Sequence, residues 1–147
     1  WLRAHPVLHL PVEAFAVPVA LGGLQGRWRL AATFYLTSLL GTASTDLAMA
    51  ATGVMQFWPT VVTASLDQAP LLLHQAGLHL LQPLPLFTLV MAAGAVLMVG
   101  RQLDSRISGM DGDAGAMAAA VLLTTLWVDG LFLLSALLQP GLSGLIE

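Results

Sequence analysis

Four long apolar runs, nearly empty of charge, set the strongest limit on how this chain can fold. They cover residues 6–24, 30–57, 84–100 and 116–138. A helix crossing a bilayer needs about 20 mostly apolar residues, within a range of roughly 17–25, and each run is long enough. The chain has 147 residues, 57% of them hydrophobic and 9% charged, with a mean hydropathy of +0.83. Soluble domains carry roughly 25% charged residues, so the polar residues here are too few to cover a globule in water. The expected fold is all-α: an integral membrane bundle of about four transmembrane helices forming one domain over residues 1–147. The absence of cysteine excludes a disulfide scaffold or a cysteine metal site. Five Arg, no Lys and a net charge of −3 exclude a basic stripe for nucleic acid.

The arginines orient the bundle. Arg27 and Arg29 fall in the first connection, Arg101 and Arg106 in the third, and only Arg3 lies on the other side. By the positive-inside rule the two Arg-bearing connections are expected in the cytoplasm, with both termini on the far side. Trp28 and Trp58 flank the second run and suit the two interfaces. That run is longer than a bilayer requires, so it is expected to tilt or to continue past the headgroups. The sequence starts at Trp1 with its first residues on the far side, which reads as a chain trimmed at its N-terminus.

The second connection, residues 59–83, contains a further helix over about 68–82. Asp67 is its expected N-cap, and Pro70 falls in the first turn, where a missing N–H costs little. Two readings of this helix stand side by side: an amphipathic helix in the membrane interface, or a short re-entrant or partner-covered one. In the third connection, Asp111-Gly-Asp-Ala-Gly starts like a calcium loop but has Leu122 where the acidic twelfth ligand belongs. It reads as a turn between the third and fourth runs.

Three acids lie inside the apolar runs: Glu13, Asp46 and Asp129. Each costs roughly 2.5–3.5 kcal/mol at the centre of a membrane helix, so each needs a partner, a proton or water. Counting about 1.5 Å per residue puts all three in the half of the membrane away from the Arg-bearing loops, as one polar cluster. Thr42 and Thr45 beside Asp46, and Thr125 a turn before Asp129, are the expected hydroxyl partners. Acids that only glue helices together form the plainer reading.

His5, His9 and Glu13 recur every four residues and share one helical face. Pro11 and Pro18 interrupt that helix and free the carbonyls of Val7 and Ala14, a break tolerated where protein, water or a ligand satisfies them. A neutral imidazole could ligate the magnesium of a chlorophyll. His74 and His79, five apart, read as separate interfacial residues, each able to meet a headgroup or pigment. Against this stands the commoner role of interfacial histidines as hydrogen-bonding groups. A zinc site has no third and fourth ligand, and no nucleophile or phosphate-loop motif is present, so the expectation is no enzyme. Small residues recur at Ser38, Gly41, Thr45, Ala48 and Thr52 and again over 114–120, where they allow close helix contact.

Two stretches, His-Leu-Pro-Val-Glu-Ala-Phe-Ala-Val-Pro-Val-Ala-Leu (9–21) and Phe-Tyr-Leu-Thr-Ser-Leu-Leu-Gly-Thr-Ala-Ser-Thr-Asp-Leu (34–47), together with Val-Asp-Gly-Leu-Phe (128–132), carry a resemblance. With them the chain resembles an uncharacterised family of cyanobacterial polytopic membrane proteins, a domain of unknown function. The likeness is less distinctive over residues 59–113. It implies a cyanobacterial membrane, with the thylakoid as the expected location, and transfers no catalytic role. It also implies an accessory or assembly subunit of a photosynthetic complex, photosystem I slightly ahead of photosystem II. Chlorophyll a, carotenoid and lipid are the candidate cofactors and photosystem subunits the candidate partners. The competing expectation is a small proton-coupled transporter or permease component that uses Glu13, Asp46 and Asp129.

Overall fold

A computed structural model describes residues 10–142, with side chains described over 10–105 and 113–139. Helices and turns make up the described residues, with no strand among them. A chain this poor in polar side chains satisfies its backbone groups within its own helices. Thr and Ser hydroxyls among the described residues follow the same logic. Thr37, Ser44, Thr52 and Thr124, for example, each donate to the carbonyl four residues earlier, at 2.7–2.8 Å.

The first run is broken at its prolines. α1 spans Leu10–Glu13 and α2 spans Val17–Gly23, joined by a tighter 3-10 stretch at Ala14–Ala16. Pro18 sits in the first turn of α2 and has no N–H for the carbonyl of Ala14. The apolar helical stretch described here, Leu10–Gly23, is shorter than a bilayer-spanning helix.

The expected run 30–57 is not one helix. α3 covers Arg29–Ala51 and ends at Thr52 and Gly53, whose φ of 76° is left-handed. A 3-10 turn at Val54–Phe57 then leads into α4, Trp58–Thr63. Gly53 lacks the Cβ that penalises this conformation in other residues. Gly53→Ala is expected to cost about 1–2 kcal/mol, read as a lower unfolding midpoint in detergent. An unchanged midpoint would mean that the turn does not depend on glycine.

α5 covers Ala69–Leu80, close to the expected 68–82. Its N-cap is Gln68 rather than Asp67 and makes no side-chain cap, while Pro70 does lie in the first turn. α5 packs on the rest of the protein: a Cβ on Gly77 would lie 3.0 Å from Leu137 and 3.7 Å from Ala136.

The last element, α6, is Pro83–Leu142, and it cannot be one rod. At about 1.5 Å per residue a straight helix would separate Gly100 from Ala119 by roughly 29 Å. Yet a Cβ on Gly100 would lie 3.9 Å from Ala119 and 3.8 Å from Leu122. Two arms therefore lie side by side, Pro83–Ser105 and Asp113–Gln139, and the chain reverses between them; Asp113, Ala114 and Gly115, expected in the turn, belong to the second arm. These arms, 23 and 27 residues long, are long and apolar enough to cross a membrane. Only 6% and 11% of their most apolar windows are buried, whereas a core helix of a soluble protein would be mostly buried. α3 is equally long, but its Ser, Thr, Gly and Asp make it far less apolar. The two spanning candidates match the expected third and fourth runs.

α3 and the second arm of α6 meet along small residues. Gly41 is buried opposite Thr125; on the same arm Ala114, Ala118 and Leu122 are 1–2% exposed, with Leu122 beside Gly100 of the first arm. The contacts Gly41–Thr125 and Thr45–Asp129 share one offset of 84 residues. The two helices thus run parallel, so Arg29 and Asp113 mark one end of the bundle. α5 packs near the other end, where His79 reaches Thr52.

Candidate functional site

Where the small-residue seam passes Thr45, the bundle holds a hydrogen-bonded carboxyl. Gly41 lets α3 approach the second arm closely, and one turn on Thr45 Oγ1 donates to Asp129 Oδ2 at 2.7 Å. Thr45 Oγ1 also lies 3.2 Å from the Gly41 carbonyl. One hydroxyl proton serves only one of these acceptors, and the shorter contact to a carboxyl is the stronger. The other expected hydroxyl partners serve their own helices: Thr42 donates to the Ser38 carbonyl at 3.2 Å and Thr125 to that of Val121 at 3.1 Å.

Asp129 borders two hollows. One is a partly open cavity of about 290 Å³ between α3, α4, α5 and both arms of α6. Its walls are apolar, with Ala48, Leu73, Val96, Phe132 and Leu133 among them; Thr45 and Asp129 supply polar atoms. The other is a more open surface hollow beside Phe34, Ser38 and Thr124 that shares Thr125 and Asp129.

Of the three acids, two come to one level of the bundle. Asp46, 7% exposed, follows Thr45 on α3, and Thr45 is bonded to Asp129. Glu13 is not brought to them. It is exposed, and its backbone carbonyl accepts a hydrogen bond from the Tyr35 hydroxyl. Tyr35 precedes Asp46 by three turns of α3, roughly 16 Å at 1.5 Å per residue. The broken first segment causes this placement. Gly23 packs beside Ala32 and Glu13 beside Tyr35, so the segment crosses α3 steeply instead of running along it to the level of Asp46.

The histidines separate as well. His5 and His9 lie outside the described residues. His79 Nε2 donates to the carbonyl of Thr52 at 2.9 Å, and its ring centroid is 5.5 Å from that of Phe57. A carbonyl can only accept, so Nε2 carries the proton and closes the C-terminus of α3, as cationic or donor groups do at helix ends. That nitrogen is committed to backbone and not to a pigment. His74 Nδ1 is buried with no hydrogen-bond partner. Among the described residues no group of three His, Cys, Asp or Glu could hold a metal ion.

That Thr45 pairs with Asp129 rather than Asp46, and that His79 closes α3, goes beyond the sequence reading. Both contacts join distant segments. The two small-residue stripes were the available signal: sliding one along the other sets Thr45 opposite Asp129.

These features define an all-helical protein with two helices able to cross a membrane and a carboxyl set into an apolar cavity. The chain belongs to the family described as protein of unknown function (DUF3120), which matches residues 1–137. Searches of curated proteins and of solved structures give no match.

Proposed function

We propose that the chain is a membrane-embedded, non-catalytic accessory or assembly subunit of a cyanobacterial photosynthetic complex, photosystem I slightly ahead of photosystem II. The observation that carries this reading is the uncovered apolar surface of both arms. Phe87, Met91 and Met98 on one and Trp127, Leu131 and Phe132 on the other are 53–71% exposed. Apolar faces of this extent are covered by lipid, by a partner or by both. The photosynthetic assignment rests on the sequence resemblance alone, which is an association and not a mechanism. Four spans, cytoplasmic Arg-bearing loops, a thylakoid location and chlorophyll a or carotenoid at the flanks belong to the same proposal.

Native membranes extracted in mild detergent provide the test. The expected result is co-migration of the tagged chain with photosystem polypeptides and chlorophyll, and less of both when His9 or Glu13 is replaced. A colourless, self-contained oligomer would overturn the reading. It would favour a small proton-coupled transporter or permease component, the second reading, which is supported by the position of Asp129 between two hollows.

A further inference from the structure

We propose that the 290 Å³ cavity binds a single-chain lipophile whose polar end donates a hydrogen bond to Asp129. At about 30 Å³ per water-sized group, the space takes roughly ten heavy atoms. That suits an alkyl chain or a short isoprenoid and is too small for a tetrapyrrole ring. The walls are apolar, and the lining includes no Arg, Lys or His. An anionic head would therefore meet a carboxyl with no cation beside it, and a purely apolar ligand would leave that carboxyl half satisfied. A polar group in an apolar wall is costly unless hydrogen-bonded. Thr45 serves Oδ2, and the described residues show no bond to Oδ1. The missing donor is the part a ligand supplies: a hydroxyl or a protonated amine. The cavity is partly open, so a chain can enter without unfolding the bundle. The inference needs the cavity alone and holds whichever complex the protein joins.

Trp58 lines the cavity and provides a local reporter, because bromine on an alkyl chain quenches nearby indole fluorescence. The full chain in a nonionic detergent is titrated with ω-bromodecanol, ω-bromodecylammonium and ω-bromodecanoate, with Trp58→Phe subtracting the signal of the other tryptophans. Saturable quenching is expected for the alcohol and the ammonium, at affinities about tenfold or more above the carboxylate, the scale of one charge-assisted contact. Asp129→Asn keeps the shape and removes the charge, and is expected to reduce the discrimination between alcohol and carboxylate to about twofold. Ala93→Phe, on another wall of the cavity, is expected to abolish saturation for all three probes. Equal affinity for the three heads in the parent chain would overturn the proposal. So would quenching that rises only with probe partitioning into detergent, or saturation that survives Ala93→Phe. None of these results bears on co-migration with photosystem polypeptides, so the two proposals fail separately.

Discussion

Gly41→Leu is expected to prevent α3 from docking on the second arm of α6 and to leave little folded protein in detergent. Even a methyl group is too large at this position, since a Cβ on Gly41 would lie 2.6 Å from Thr125 Oγ1 and 3.3 Å from Thr125 Cγ2. Thr125 is tied to the Val121 carbonyl at 3.1 Å, so turning it away breaks a hydrogen bond. Overpacking of this kind costs about 1–3 kcal/mol for a small addition and more for a large one. Gly41→Ala should therefore lower the unfolding midpoint measurably, and Gly41→Leu should abolish the transition. The paired substitution Gly41→Ala with Thr125→Ala removes the two crowding atoms and leaves a 3.4 Å contact with the Thr125 Cβ. It is expected to recover most of the lost midpoint. If the pair is no more stable than Gly41→Ala alone, crowding at Thr125 is not what the glycine avoids.

Thr45→Val is the second substitution with a large expected effect. Valine fills the same volume and removes the one hydroxyl bonded to Asp129 Oδ2. Leaving a fully buried acceptor without its partner costs about 1–3 kcal/mol, and Asp129 is part-buried, while measured interhelical hydrogen bonds in membranes reach about 1.7 kcal/mol. A loss of about 1–2 kcal/mol is therefore expected. Adding Asp129→Leu to Thr45→Val removes the stranded carboxyl and should restore much of that loss, because replacing both partners by apolar groups is far cheaper than stranding one. Unfolding of the four members of this cycle, followed under identical detergent conditions, gives the coupling directly. Additive effects would mean that the hydroxyl and the carboxyl do not depend on each other.

What the sequence made legible divides along physical lines. The two arms of α6 followed from apolar length alone: 84–100 and 116–138 were expected, and Pro83–Ser105 and Asp113–Gln139 are found. The small-residue stripe on α3 was visible for the same reason, since spacing on a helix fixes which side chains share a face. Three-dimensional register was not visible. Glu13 fell in the same half as Asp46 and Asp129 only while the first run was treated as a straight crossing, and the 3-10 stretch at Ala14–Ala16 removes that premise. The end of α3 at Gly53 leaves no trace in hydropathy, because apolar residues continue on both sides of it. Asp67 is a cap by residue type, but the helix starts at Ala69, one residue later than expected, and Gln68 takes the cap position.

The parallel course of α3 and the second arm dictates an order of events at the ribosome. Residues that meet at Thr45 and Asp129 are 84 apart in the chain, and at synthesis rates of about 5–20 residues per second the earlier one waits roughly 4–17 s for the later. During that interval the narrow glycine and threonine face of α3 is unclaimed, open to pairing with any neighbour that offers a similar groove.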